Sequence, residues 1–301
     1  MPVKRWQVSC CANLPRSHRQ NQQRHSTALR VTTIILDKQG YLAHIRLNRP
    51  DKLNALDPAT AGLLNAALTE IGRDDSIRVV LLTGEGRAFS AGFDLHGGQP
   101  QPGETANEQL RRELVEAFDA IMSLRNCPKP TVAAVHGYCL GSSMELSAVC
   151  DLTISSDDCQ FGAPEVQFGS GIVCMILPWI VGEKAARELL LTGKKISAAR
   201  AAEIGLVNRI VSRERLLETA FDVAREIATN DPLAVAMTKR ALNRSQDIRG
   251  LEQALREALE VDLQIEQTET PESKKFNSIL GEKGLKAALA WREKLLDREH
   301  R

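Results

Sequence analysis

"PTVAAVHGYCLGSSMELSAVCDLTISS", residues 130–156, decides the fold class. A short apolar, partly β-branched run ends at the glycine of "HG", a helical stretch follows at about 142–149, and "DLTISS" opens a second β-rich run. The same rhythm extends outward. An amphipathic helix at about 59–72 leads into the strand "IRVVLLTG" (77–84), another helix at about 107–125 precedes the quoted stretch, and one at about 183–191 follows it. Short buried strands alternating with helices indicate an α/β protein with mostly parallel pairing. At the front, "TTIILDKQGYLAHIRL" (32–47) shows two β-rich runs around the turn signal "DKQG" and reads as a hairpin. Beyond Ile210 the pattern is helical, through roughly 213–229, 232–244, 250–266 and 281–297. A strand-free end of this kind packs on the core or on a neighbouring subunit. No repeat, low-complexity tract or Pro/Gly-rich linker divides residues 31–301.

Bulk properties narrow the function. With 301 residues the chain can bury a full core, and a net charge of +1 offers no dominant field for nucleic acid or membrane. The longest apolar run, "GIVCMILPWIVG" (171–182), is too short to span a bilayer and contains Pro178. Seven cysteines without C-x-x-C spacing read as reduced thiols in a cytosol-like compartment. Residues 1–30 differ from the rest: they carry no Asp or Glu, while Lys4, Arg5, Arg16, Arg19, Arg24 and Arg30 are basic. That composition fits a disordered extension, a presequence directing the protein to the mitochondrial matrix, or a start site placed too far upstream; compositional logic favours the first.

The quoted stretch has two competing readings. In one, Ser142 caps a helix and Glu145 closes an S-x-x-E capping box. In the other, free N–H groups at the helix start, with a carboxylate beside them, stabilise a carbonyl oxygen that turns negative. Two further stretches bear on the choice. "GRAFSAGFDL" (86–95) follows a strand and lets the backbone turn tightly at Gly92, leaving N–H groups for a ligand. "QFGAPEVQFG" (160–169) brings a second carboxylate, Glu165, and two carboxylates at one site can divide proton transfer between them. His44 and His136 read as structural. His96, just past the glycine loop, is the histidine best placed for chemistry. No His/Asp/Glu set has metal-ligand spacing, and no P-loop or G-x-S-x-G occurs.

"LNRPDKLNAL", "GRAFSAGFDL", "GSSMELSAVCD", "FGAPEV", "ELLLTGKKISAARAAEIGLVNRIV" and "DPLAVAMTKRAL" occur in the order of the enoyl-CoA hydratase/isomerase (crotonase) superfamily, which the chain resembles over about 32–300. The resemblance implies a spiral of ββα units over 31–210 and a helical region, 211–301, that builds trimers or hexamers. It implies an acyl-CoA thioester as substrate, with coenzyme A part of that substrate, no other cofactor, and no nucleic-acid or membrane partner. The oxyanion hole falls on the backbone N–H groups of Phe93 and Ser142. Glu145 and Glu165 coincide with the two carboxylates of the hydratase subgroup, which add water to a trans-2-enoyl-CoA. Lys52 and Leu53 would flank the adenine, Ala91, Gly92, Asp94, Leu95 and Gly141 would line the substrate, and Lys294 would meet a phosphate.

Two departures from the family pattern stand out. Gly141, Ser142 and Ser143 replace three glycines, which stiffens the backbone and brings two hydroxyls to the site. The family's P-G-x-G-G stretch is replaced by "GSGIVCMILPWIVG" (169–182), in the segment that shapes the acyl pocket and places the water. Phe93, Met144, Met175 and Trp179 suggest a partly apolar pocket. An isomerase or other acyl-CoA lyase using one carboxylate, or an inactive CoA-ester-binding member, are the alternatives within this fold.

Overall fold

Strand pairing follows the alternation of the sequence. The computed structural model describes residues 32–94 and 98–295, which belong to one unit starting at Thr32. The extension or presequence at 1–30, and the candidate residues Leu95 and His96, lie outside the described residues. Nine strands are present among those described: β1 (Ile34–Gln39), β2 (Leu42–Leu47), β3 (Val79–Gly84), β4 (Thr131–Val135), β5 (Tyr138–Leu140), β6 (Leu152–Ser156), β7 (Gln160–Gly162), β8 (Ile196–Ser197) and β9 (Arg209–Val211). Six form one sheet in the order β1-β2-β3-β4-β6-β9, parallel throughout except for the β1-β2 hairpin. The other three form a small sheet, β5-β7-β8. The hairpin turns later than "DKQG" suggests: Ile34 pairs with Leu47 and Gln39 with Leu42, so Asp37 to Gln39 stay in the strand and Gly40, at φ 57°, starts a two-residue turn.

The helices are α1 (Pro58–Gly72), α2 (Ala106–Asn126), α3 (Ser142–Val149), α4 (Glu165–Phe168), α5 (Leu177–Ile180) and α6 (Glu183–Thr192). After them come α7 (Ala198–Glu203), α8 (Leu216–Ala228), α9 (Pro232–Ile248), α10 (Leu251–Glu266), α11 (Pro271–Lys283) and α12 (Leu285–Glu293). Both faces of the large sheet are covered, and the residue alternation decides which side chain goes where. Leu42, Val79, Leu81, Val132, Ala134 and Ile154 face Leu216, Ala220, Val223 and Ala224 of α8. Ala43, Ile45, Val80, Leu82, Ala133 and Val135 face the main core, with Leu64, Leu68 and Ile71 of α1 and Phe118 and Ile121 of α2. Full burial of a leucine or valine here contributes about 1.5–3 kcal/mol.

The helix expected over 281–297 is α12, Leu285–Glu293, and α11 precedes it over Pro271–Lys283, where no helix was expected. Gly284, at φ 79° and ψ 170°, ends α11 and starts α12, a bend that lets both pack on α4. The Phe168 and Phe276 rings lie 5.8 Å apart, and Arg292 Nε donates to Gln167 O at 3.0 Å. The C-terminal helices therefore brace the short element that carries Glu165. No helix among the described residues is long and apolar enough to cross a membrane.

Candidate active site

The two loops singled out in the sequence meet edge to edge. Ser90 N donates to Tyr138 O and Leu140 N to Ser90 O, so the segment after β3 runs alongside β5. Ser143 Oγ donates to Ser90 O and Leu140 O at 2.8 and 2.7 Å, clamping the helix start onto the same segment. On the other side, Ala91 N donates to Leu53 O, Leu56 N to Gly92 O, and Asp94 N to Leu56 O. Arg49 adds ion pairs to Asp57 at 3.3 Å and Asp94 at 3.0 Å. Asn54, buried and at φ 53°, donates to Glu85 O, Ala88 O and Phe89 O. Leu53, Ala91, Gly92 and Asp94 thus belong to one framework. Lys52 lies beside it, exposed. Lys294 is exposed at the end of α12 and makes no side-chain bond to these residues among those described.

That framework leaves donors over. The N–H groups of Phe93 and Ser142 have no acceptor among the described residues, nor has that of Ser143, whose hydroxyl is tied into the clamp. Gly92 makes the approach possible: at φ 95°, a Cβ there would stand 2.8 Å from Leu140 O and 3.5 Å from Ser142 N. Gly141 does the same on the other strand, with φ 57° and ψ −134° as N-cap of α3. A Cβ at Gly141 would fall 2.4 Å from Glu165 Oε1.

The capping-box reading fails. Gly141, not Ser142, is the N-cap, Glu145 N donates to Gly141 O, and no side chain caps the helix. Glu145 points inward instead: Oε1 accepts from Cys174 N at 3.0 Å, and Oε2 is buried without a partner. Glu165 Oε2 is likewise buried and unpartnered. The expectation of two hydroxyls lining the site is halved, because Ser143 Oγ is spent on the clamp while Ser142 Oγ remains free.

Burial governs the protonation of both carboxyls. Desolvation holds Glu145 well above the usual carboxylate range, the charges of Glu165 and Asp262 add to this, and the Cys174 N–H partly opposes it. Glu165 is pushed up to about 7, again mainly by desolvation, with Asp262 adding to it. Burial and the repulsion between them therefore favour the protonated form of both carboxyls. His44 and His136 play no part in this: His44 bonds Thr83 Oγ1 and is held low by burial, while His136 faces Gly86 O and is pushed down to about 4. A separate open crevice of about 590 Å³, lined among others by Asn65, Arg73, Asp119 and Arg125, includes neither glutamate.

Paired carboxyls beside two free donors restrict the possibilities, and a comparison with known sequences settles the family: residues 37–294 match the enoyl-CoA hydratase/isomerase family. The chain belongs to that family. Members of the enoyl-CoA hydratase/isomerase family act on acyl-CoA thioesters. The short-chain-enoyl-CoA hydratase of Clostridium acetobutylicum is 35% identical over 222 residues, 72% of this chain and 83% of that protein. An enoyl-CoA hydratase/isomerase structure from Xanthobacter autotrophicus Py2 superposes with a TM-score of 0.81 at 45% identity, covering 86% of this chain and 97% of the other. An enoyl-CoA hydratase structure from Mycobacterium smegmatis gives 0.79 at 26% identity, over 87% and 93%. The family's crotonase-type α/β fold, with its helical C-terminal region, is the fold of this chain.

Two features of this site escaped the sequence reading. One is the Cys174 N–H that holds Glu145. The other is Asp262 of α10, a third buried carboxyl whose charge acts on both glutamates. The signal for Asp262 was present: in "LEQALREALEVDLQIE" it stands on the apolar stripe with Leu251, Leu255, Leu259 and Leu263.

Proposed function

We propose that the chain catalyses the reversible addition of water across the double bond of a trans-2-enoyl-CoA, giving a 3-hydroxyacyl-CoA. The observation that carries this reading is the pair Glu145 and Glu165, each with one buried unpartnered oxygen, beside the unengaged N–H groups of Phe93 and Ser142. The thioester carbonyl accepts from both N–H groups, and they stabilise the enolate oxygen as charge moves onto it. A donor of this kind contributes about a hundredfold to a thousandfold in rate. The carboxylate member of the pair takes a proton from water as the oxygen attacks the β-carbon, and the carboxyl member delivers its proton to the α-carbon. One glutamate gains and the other loses a proton, so each role belongs to the pair and a transfer between them restores the start. We assign the water to Glu145 and the α-carbon to Glu165, with exchange between them. Every step is proton transfer or electrostatics, so coenzyme A enters only as part of the substrate and the steps draw on no metal or redox group.

The test is a spectrophotometric hydration assay over enoyl-CoA esters of varied chain length, with Glu145→Gln and Glu165→Gln. Each substitution is expected to lower kcat by well over about tenfold. A rate unchanged by both, or double-bond migration without hydration, overturns the reading. The apolar exposure of Leu233, Leu242 and Ile248 on α9 supports assembly as a homotrimer or hexamer, which light scattering measures directly.

A further inference from the structure

Asp262 violates the pattern of its own helix. It sits on the core-facing stripe of α10 at 2% exposure, where a carboxyl costs stability unless something bonds it. Neither of its oxygens has a hydrogen-bond partner among the described residues. The Gly171 N–H approaches it but falls short of hydrogen-bonding geometry. No cation among the described residues offsets it. The charges coupled to it are all acidic: Glu266 one turn on in α10, Glu145 from α3 and Glu165 from α4. Arg111 of α2, which packs on α10, is paired with Glu260 on the exposed side. Burial pushes the Asp262 carboxyl up to about 7.

Its position points to the substrate rather than to packing. A Cβ on Gly171 would fall 2.1 Å from Asp262 Oδ1, so the segment between Glu165 and Cys174 has a glycine where the carboxyl needs room. That segment leaves Glu165 at one end and reaches Glu145 through the Cys174 N–H at the other. A second copy of the chain cannot supply the missing partner, because Asp262 is enclosed within one chain. A donor that enters beside the two glutamates would supply what the described residues do not. A cationic group there would draw both glutamates down and remove the proton the reaction uses, whereas a neutral hydroxyl leaves them as they are.

We propose that Asp262 is a specificity-determining residue that hydrogen-bonds a hydroxyl carried by the acyl chain beyond the β-carbon, so that the favoured substrate class is a hydroxyl-bearing 2-enoyl-CoA. This rests on the enoyl-CoA reading above. An unsubstituted chain leaves the buried carboxyl unbonded, and sites built around a hydroxyl discriminate strongly against analogues lacking it.

The experiment compares matched trans-2-enoyl-CoA esters, hydroxylated and unsubstituted, from short to medium chain length, with wild type, Asp262→Asn and Asp262→Leu. In wild type the hydroxylated ester is expected to be favoured in kcat/KM by about tenfold or more at one chain length. Asp262→Leu collapses that ratio to near one, and Asp262→Asn, which keeps hydrogen-bonding capacity, retains part of it. The ratio is internal to each variant, so a general loss of activity does not imitate the result. Calorimetric binding of the corresponding saturated acyl-CoA esters to wild type reads the same preference without turnover. No preference at any length, in rate or binding, overturns the proposal, as does a preference that survives in Asp262→Leu. Absence of hydration with a binding preference intact would overturn the hydration reading alone.

Discussion

Replacing Glu165 by Gln is expected to move stability and activity in opposite directions. Burial raises the carboxyl from its ordinary 4.5 to about 7. At about 1.4 kcal/mol per pH unit, ionising this group in the folded protein costs about 3 kcal/mol relative to the unfolded chain. The sign follows from the folded form binding the proton more tightly. Glu165's contribution is fully present below about pH 4.5, declines as the pH rises, and is lost once the pH passes about 7. Gln has no proton to lose. The stability of Glu165→Gln relative to wild type should therefore rise by about 2–3 kcal/mol between about pH 4.5 and pH 8, the lower figure allowing for protons shared with Glu145 and Asp262. Urea unfolding of both proteins at equal concentration, at the two pH values, measures this. Packing differences between Glu and Gln are common to both conditions and cancel. A gap that does not change with pH refutes the claim that Glu165 folds as a carboxyl held up by burial.

Three further outcomes follow from named contacts. Gly141→Ala forces a side chain onto φ 57° and into Glu165 Oε1, so hydration should fall about a hundredfold and stability by about 1–2 kcal/mol; wild-type kcat would contradict the geometry. Lys239 is buried, 2.7 Å from Asp151 Oδ2, and also donates to Leu124 O and Lys129 O. Lys239→Met should cost about 3 kcal/mol in urea unfolding, and a loss below about 1 kcal/mol would show the pair to be dispensable. The pH profile of kcat/KM should fall as the pH drops through about 7, where the glutamate pair takes up its second proton. Asp262→Asn removes one negative charge and should move that limb to lower pH; an unmoved limb would show that Asp262 does not act on the pair.

Sequence patterns expose long elements and hide short ones. Strands β1, β2, β3, β4 and β6 of the large sheet and helices α1, α2, α6 and α10 were legible because their apolar periodicity runs over several residues. The small sheet and β9 were not, since β5, β7, β8 and β9 have two or three residues each and offer no period to read. Helix α11 was hidden for a different reason: "PESKKFNSILGEK" carries few apolar residues, so its stripe is weak and the helix was placed from about 281 onward, across the bend at Gly284. Glu145 and Glu165 were legible through their motifs, but the S-x-x-E spacing was also a false capping box. Backbone geometry decides that question, because the positive φ of Gly141 moves the cap one residue upstream and turns Glu145 toward Cys174. Asp262 breaks an otherwise apolar stripe, a signal that becomes meaningful only when the facing residues are known.

The clamp that joins residues 53–56, 90–94 and 139–143 consists almost wholly of backbone bonds, with Ser143 and Arg49 as side-chain ties. The three buried carboxyls, Glu145, Glu165 and Asp262, stand outside it, on three separate helices. In the proposed reaction, receipt of negative charge would therefore be separable from the chemistry of the carboxyls. The first is fixed when the chain folds and is indifferent to the side chains beyond it. The second can be edited one residue at a time, so a designer could rewrite positions 145, 165 and 262 to suit a chosen enolate-forming reaction without disturbing the cradle.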